Sequence, residues 1–288
     1  MCYPASFIVT KDQVFWSRYT EFHEEIIDEF GLREKDTQGN IQLVWAQLLA
    51  PNYQLSTPSN AWQYSVVQDL LPSWYDAVDV EKRVRKALPQ WCQTKVVGHG
   101  QVRMVHNTGQ IYICGGIVKT VCGGEITLLS AGTVRRLDGG RIRDVHYGGF
   151  VGEIYNGAIV DCVCGGSVGD IYNGRIERIF SGSVQKVHEI GKVRHVYGYN
   201  EGSIVHEVDG GIVERVHDGG IIRKVYNNGT VEWLDGGTVC DVHDGRISIV
   251  SSGSVQRILR GGRVHSIVPL PNCSVAYGGV LVDHSDKK

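Results

Sequence analysis

Proline is scarce in this chain, at 7 of 288 residues, and no collagen-like triplet accompanies its glycine. That excludes both a Pro/Gly-rich disordered linker and a triple helix. No stretch approaches the roughly 18 apolar residues of a membrane helix. The opening MCYPASFIVTKDQVFW reaches Lys11-Asp12 before a long apolar run develops, so a soluble chain without a signal peptide, and without a membrane partner, is expected. An excess of one charge is also missing: 29 Lys and Arg face 31 Asp and Glu, a formal charge of −2. Between residues 100 and 268 the count is 18 basic against 17 acidic, which is neither a basic nucleic-acid track nor an acidic mimic of one. No general nucleic-acid binding is expected, and partners must be recognised by shape. The eight cysteines (2, 92, 114, 122, 162, 164, 240, 273) form no CxxC pair. Reduced thiols acting as small buried hydrophobes are expected, without disulfides, zinc or any other metal or cofactor. HExxH and GxxxxGK[ST] are absent, GGSVG at 165–169 recurs with the repeat rather than opening a helix, and HEEII at 23–27 is not a zinc motif. Threonine is too sparse for the flat ladders of an ice-binding surface.

What the chain has is glycine, 37 residues of it, used as punctuation. From Gly100 to Gly262 it opens each unit of a repeat, G-x-[VI]-x-x-[VIL]-x-x, in twenty units averaging about 8.5 residues. A short fixed period marks stacked repeats. One unit cannot bury its two aliphatics alone; stacking does so, with β-branched ladders inside. Polar pairs such as Arg135-Arg136, Glu214-Arg215, Glu232-Trp233 and Gln256-Arg257 face water, and glycine turns the corners. The expected fold is mainly β: a parallel β-helix, or β-solenoid, over 99–268.

The number of units per coil can be read from the residue after the second aliphatic. Taken every third unit, it yields Tyr172, Tyr197, Tyr226 in one column and His188, His217, His243 in another. This favours a three-faced helix of six to seven coils, roughly 30 Å long at about 4.8 Å per coil. A flattened two-unit coil of about 17 residues is the alternative.

Residues 1–98 read as a small α+β domain of about four strands and two helices. SFIVT and QVFW form a hairpin about a Lys-Asp turn. TEFHEEIIDEFGL is a helix in which Thr20 can cap, Phe22, Ile26, Ile27 and Phe30 fall at helical spacing, and Gly31 is the left-handed stop. IQLVWAQLLA and WQYSVVQ are strands. DAVDVEKRVRKALPQW is a helix capped by Asp76 or Asp79 and ending near Leu88, before Pro89. Residues 269–288 depart from the repeat and should close the array or pair with another subunit, since Pro269 and Pro271 cannot donate to a ladder.

The site candidates come from the same columns. Each histidine precedes an acid (His188-Glu189, His217-Asp218, His243-Asp244), which could hold a metal or polarise a substrate; ordinary packing of stacked side chains at a solvated turn is the stronger explanation. Tyr172, Tyr197 and Tyr226 could grip a sugar or a partner surface, or be ladder packing alone. Asp144, Asp161, Asp170 and Asp241 share the last polar position or its neighbour, where paired carboxylates could cleave glycosides and where a soluble exterior also requires charge. Cys2 could serve as an N-terminal nucleophile only if Met1 were removed. No residue is assigned a catalytic role.

MCYPASFIVTKDQVFW, HEEIIDEFGL and DLLPSWYDAVDVEKRVRKALPQW resemble an N-terminal domain of uncharacterised proteins from phages and bacteria carrying phage-like genes, in which short valine-rich repeats follow. The resemblance covers about residues 1–95. It implies a phage context, in the host cytoplasm or the virion, and supplies no catalytic residues. The expected function is non-enzymatic recognition of a protein or glycan surface, as a virion-associated structural component or a host-interaction or counter-defence factor, acting as a homotrimer or within a larger assembly. The alternative is a carbohydrate-active β-helix of the tailspike kind.

Overall fold

The structure, a computed structural model, describes residues 4–51, 58–97, 101–105, 110–198, 202–268 and 273–275. Cys2 lies outside them, as does the 269–288 segment apart from the backbone of Cys273–Val275. The chain forms two compact units, residues 1–98 with 108–114, and residues 99–107 with 115–288.

The first unit carries an antiparallel sheet in the order β2-β1-β3-β4, from β1 (Pro4–Val9), β2 (Val14–Phe15), β3 (Val44–Leu49) and β4 (Gln63–Val66). Helix α1 spans His23–Glu29 and α2 spans Ala77–Lys95. The Thr10 N–H donates to the Gln13 carbonyl at 2.9 Å and closes the hairpin. Strand β3 alternates strictly, burying Val44, Ala46 and Leu48. Before α1, Thr20 Oγ1 accepts the Phe22 N–H at 3.0 Å, which orders the approach to the helix rather than its first turn. Gly31, at φ +59°, stops it. Ile26 and Ile27 are buried whereas Phe22 and Phe30 are exposed.

Helix α2 begins as expected, with Asp76 Oδ1 accepting the Val78 and Asp79 N–H groups at 2.9 and 3.0 Å. It does not end at Leu88. It runs through Pro89 because its apolar stripe does: Val80, Val84, Leu88, Trp91 and Lys95 are all buried, at spacings of three and four. Burying Trp91 and the Lys95 stem offsets the helix hydrogen bond that proline removes. Trp91 packs edge-on to Trp62 at 6.1 Å and against Tyr112 at 5.5 Å. Lys95 Nζ donates to the Thr20 carbonyl at 3.2 Å and to the Glu21 carboxylate.

The second unit is a parallel β-solenoid of about nine turns. Each strand pairs with the strand two units away, so the coil holds two units, not three. On one face Val118, Val134, Val151, Val168, Val184, Val205, Ile222, Val239 and Val255 stack in register. On the other, Ile126, Ile142, Val160, Ile176, Val193, Val213, Val231, Ile247 and Val264 do the same. All are buried. The three-unit expectation fails because the recurrence it used reflects side-chain identity at the corners, whereas the pairing is set by the aliphatic ladders.

The x-V-x-x-V spacing also has a backbone explanation. In a regular strand, residues three apart face opposite sides. Here the residue after the first aliphatic drops out of the register: Val134 pairs with Val151 and Arg136 with Glu153, but Arg135 and Gly152 are skipped. The same skip recurs between Val168 and Asp170 and between Val205 and Glu207. A bulge-like kink stacked on every rung turns both aliphatics inward.

Candidate functional site

Two edges flank the two faces, and the residue after each second aliphatic lies on one of them. The first edge carries Asp138, Tyr155, Tyr172, His188, Asp209, Tyr226 and His243; the second carries His146, Cys164, Phe180, Tyr197, His217 and Asp235. The sequence-derived columns therefore split. Tyr172 and Tyr226 share the first edge with His188 and His243, while Tyr197 and His217 lie on the second.

What the coils bring together instead are mixed ring stacks. Tyr155, Tyr172 and His188 stack at 4.7 and 4.2 Å, within 8° of parallel, and the Arg136 guanidinium lies 4.4 Å from the centre of Tyr155. Phe180, Tyr197 and His217 stack at 5.1 and 4.2 Å. Stacking of this kind covers ring faces, so the inner members offer only edges to a ligand. Tyr226 is held differently: its hydroxyl donates to Glu207 at 2.6 Å and Lys186 lies 5.3 Å from its ring centre.

The three histidines do not form a common metal site. Asp170 Oδ1 lies 3.4 Å from His188 Nε2 without hydrogen-bond geometry, and His243 Nδ1 is 3.3 Å from Asp244. His217 Nε2 meets His195 Nδ1 at 3.1 Å, so one neutral ring donates to the other. Burial is the main cause holding both imidazoles below their ordinary pKa, with the neighbouring Arg194 acting next on His195 and His195 itself on His217. His195 is a member the sequence reading missed, because it lies between the aliphatics rather than after them.

The four aspartates fall in two places: Asp144 and Asp161 lie on adjacent rungs of the second face, Asp144 pairing with Cys162 beside Asp161, and the other two lie on the first face. Asp170 and Asp241 occupy one column of the first face, with Lys186, Glu207 and Lys224 between them. Four rungs at about 4.8 Å put them about 19 Å apart, beyond the separation of glycosidase carboxyl pairs. Asp241 accepts two bonds from Arg257 at 2.6 and 2.7 Å, and Asp161 is paired with Arg141 at 2.7 Å. Asp144 is almost buried, and its donor oxygen lies with the sulfurs of Cys162 and Cys164, all within 4.8 Å of one another.

Cavities adjoin both edges. One of about 460 Å³ is lined by Tyr197, Gly198, His217, Asp218, Asp235 and Ser252. Another, of about 630 Å³, lies beside Tyr172, His188, Glu189, Asp209 and Asn227. No protein-family model, curated protein or solved structure matches the chain, so the resemblance of residues 1–95 to a phage-associated family gains no support there. No helix among the described residues is long and apolar enough to cross a membrane.

Proposed function

We propose that the chain works by recognition rather than catalysis, and that its contact surface is the second edge around Tyr197 and His217. One observation carries this reading. Successive rungs are 16 to 18 residues apart along most of the ladder, but Val184 to Val205 is 21 and Val193 to Val213 is 20. Most of the extra length falls between Val196 and Ile204, where seven residues replace the three or four between the aligned positions of the neighbouring rungs. Per-repeat insertions in solenoids map to loops on one face, often the binding face, and the described start of this one, Tyr197 and Gly198, lines the 460 Å³ cavity. Two carboxylates, Asp218 and Asp235, lie in the same wall. The occupant is a protein or glycan surface; a phage setting is the biological form of this reading, resting on the N-terminal resemblance alone.

Affinity capture from phage-infected and uninfected bacterial cells tests it, with wild type and a Tyr197→Ala/His217→Ala variant. A stoichiometric partner retained by wild type and lost by the folded variant is expected. A partner held equally by both would move the surface elsewhere. Turnover of a surface glycan that depends on Asp144, Asp161, Asp170 or Asp241 would overturn recognition without catalysis.

A further inference from the structure

We infer that Asp144, Cys162 and Cys164 form a binding site for a thiophilic divalent cation, zinc foremost, with His146 beside them as the fourth ligand. The residues come from two neighbouring rungs of the second face. Asp144 pairs in register with Cys162, and His146, at a bulge, lies beside both Cys164 and Gly165. Val145 and Val163 between them are fully buried, so on each rung the two flanking side chains project together from the other side of the strand. D-V-H beneath C-V-C thus gathers three donors, Asp144, Cys162 and Cys164, with His146 on the adjoining position of the lower rung. A carboxylate oxygen and the two sulfurs already lie within 4.8 Å of one another, and small rotamer adjustments bring such a group to tetrahedral coordination distances.

Four features set this cluster apart from the other charged positions of the array. Asp144 is 7% exposed, yet among the described residues it forms no ion pair, unlike Asp161 with Arg141. Both thiols are free, and two cysteines separated by one residue on an extended strand are about 6.6 Å apart at Cα, at the outer limit for a disulfide. On the next rung Arg178 stands opposite Cys162. A divalent ion binding two thiolates and one carboxylate carries one net negative charge, which that guanidinium offsets. The Tyr147 ring lies over Gly165, where a Cβ would fall 2.5 Å from the ring, so glycine beside Cys164 leaves room for an aromatic cover. Binding displaces one proton from each thiol to solvent as the two metal–sulfur bonds form.

The test uses the full chain, stripped with chelator and titrated with Zn²⁺ or Co²⁺. One equivalent of Zn²⁺ with proton release is expected, and Co²⁺ should give thiolate-to-metal charge-transfer absorption with the intensity of tetrahedral coordination. Zn²⁺ should protect Cys162 and Cys164 from alkylation, mapped by mass spectrometry, while Cys122 and Cys240 stay reactive. Cys162→Ser/Cys164→Ser should abolish the charge-transfer band, and Asp144→Asn or His146→Ala should weaken binding at least tenfold with circular dichroism unchanged. The wild-type protection experiment needs no variant to fold. Absence of Zn²⁺-dependent protection at these two thiols, or undiminished binding by the folded double-serine variant, would overturn the proposal.

Discussion

In the N-terminal unit Trp62, Trp91 and Tyr112 are fully buried against one another, whereas among the described residues the interior ladders of the solenoid hold only valine, isoleucine and leucine. The first unit also encloses an ion pair, Lys95 with Glu21, while the described charges of the solenoid, Asp144 apart, lie outside, many in short cross-rung pairs such as Lys186–Asp209 and Arg194–Glu214. A core of unlike pieces depends on the fit of a few large side chains. A core of like rungs depends on no single side chain being large or polar, because each touches a copy of itself above and below.

The largest expected effect lies in the solenoid. Val225 is fully buried between Val208 and Val242 of the adjoining rungs. Val225→Asp places an uncompensated charge between them, at a cost of several kcal/mol, and loss of soluble folded protein is expected; Val242→Asp should behave alike. Wild-type yield and melting temperature would break the contrast. In the first unit, Lys95→Ala strands the Glu21 carboxylate, whose pKa burial already raises despite the lysine. A loss of about 3–5 kcal/mol in denaturant unfolding is expected, with much of it restored when Glu21→Leu is combined with Lys95→Met.

Next come the corners. An alanine Cβ at Gly198 would fall 1.9 Å from the Gly219 backbone, whereas at Gly157, φ +73°, it would meet nothing within 4 Å. Gly157→Ala should cost only the left-handed backbone, about 1–2 kcal/mol, and Gly198→Ala clearly more. Equal melting shifts for the two would show that the rungs do not press together at Gly198. The smallest effect is acidic. His195 and His217 have folded pKa values held below their unfolded ones, first by burial. The unfolded chain therefore binds more protons as pH falls through about 6.5. Stability contributed by the second edge is present above that pH and lost below it, and the two imidazoles should titrate below the ordinary range by NMR.

Much of this fold is legible in the sequence, because both aliphatic periodicity and glycine spacing are local signals. The hairpin, β3, β4 and the Asp76 cap follow from residues that act where they stand. The end of α2 does not, since what carries it past Pro89 is the burial of Trp91 and Lys95 by distant strands. The coil length was misread for a related reason: Tyr172, Tyr197 and Tyr226 recur every third unit without sharing an edge. With a two-unit coil, the separation of 18 residues between Asp144 and Cys162 sets DVH directly beneath CVC. That juxtaposition was present in the sequence but could be found only with the right period.

The two-unit coil is the claim on which the ring stacks, the second-edge surface and the donor cluster all depend, and cross-linking tests it most directly. Lys186 and Glu207 are register partners on adjacent rungs, which brings their Cα atoms to about 4.8 Å, within disulfide range. A Lys186→Cys/Glu207→Cys variant should form its disulfide quantitatively under mild oxidation, located by peptide mapping. Arg215, the partner that a three-unit coil would place beside Lys186, pairs instead with His195 on the opposite face. Efficient cross-linking of Lys186→Cys/Arg215→Cys, with none in the first variant, would contradict the two-unit solenoid.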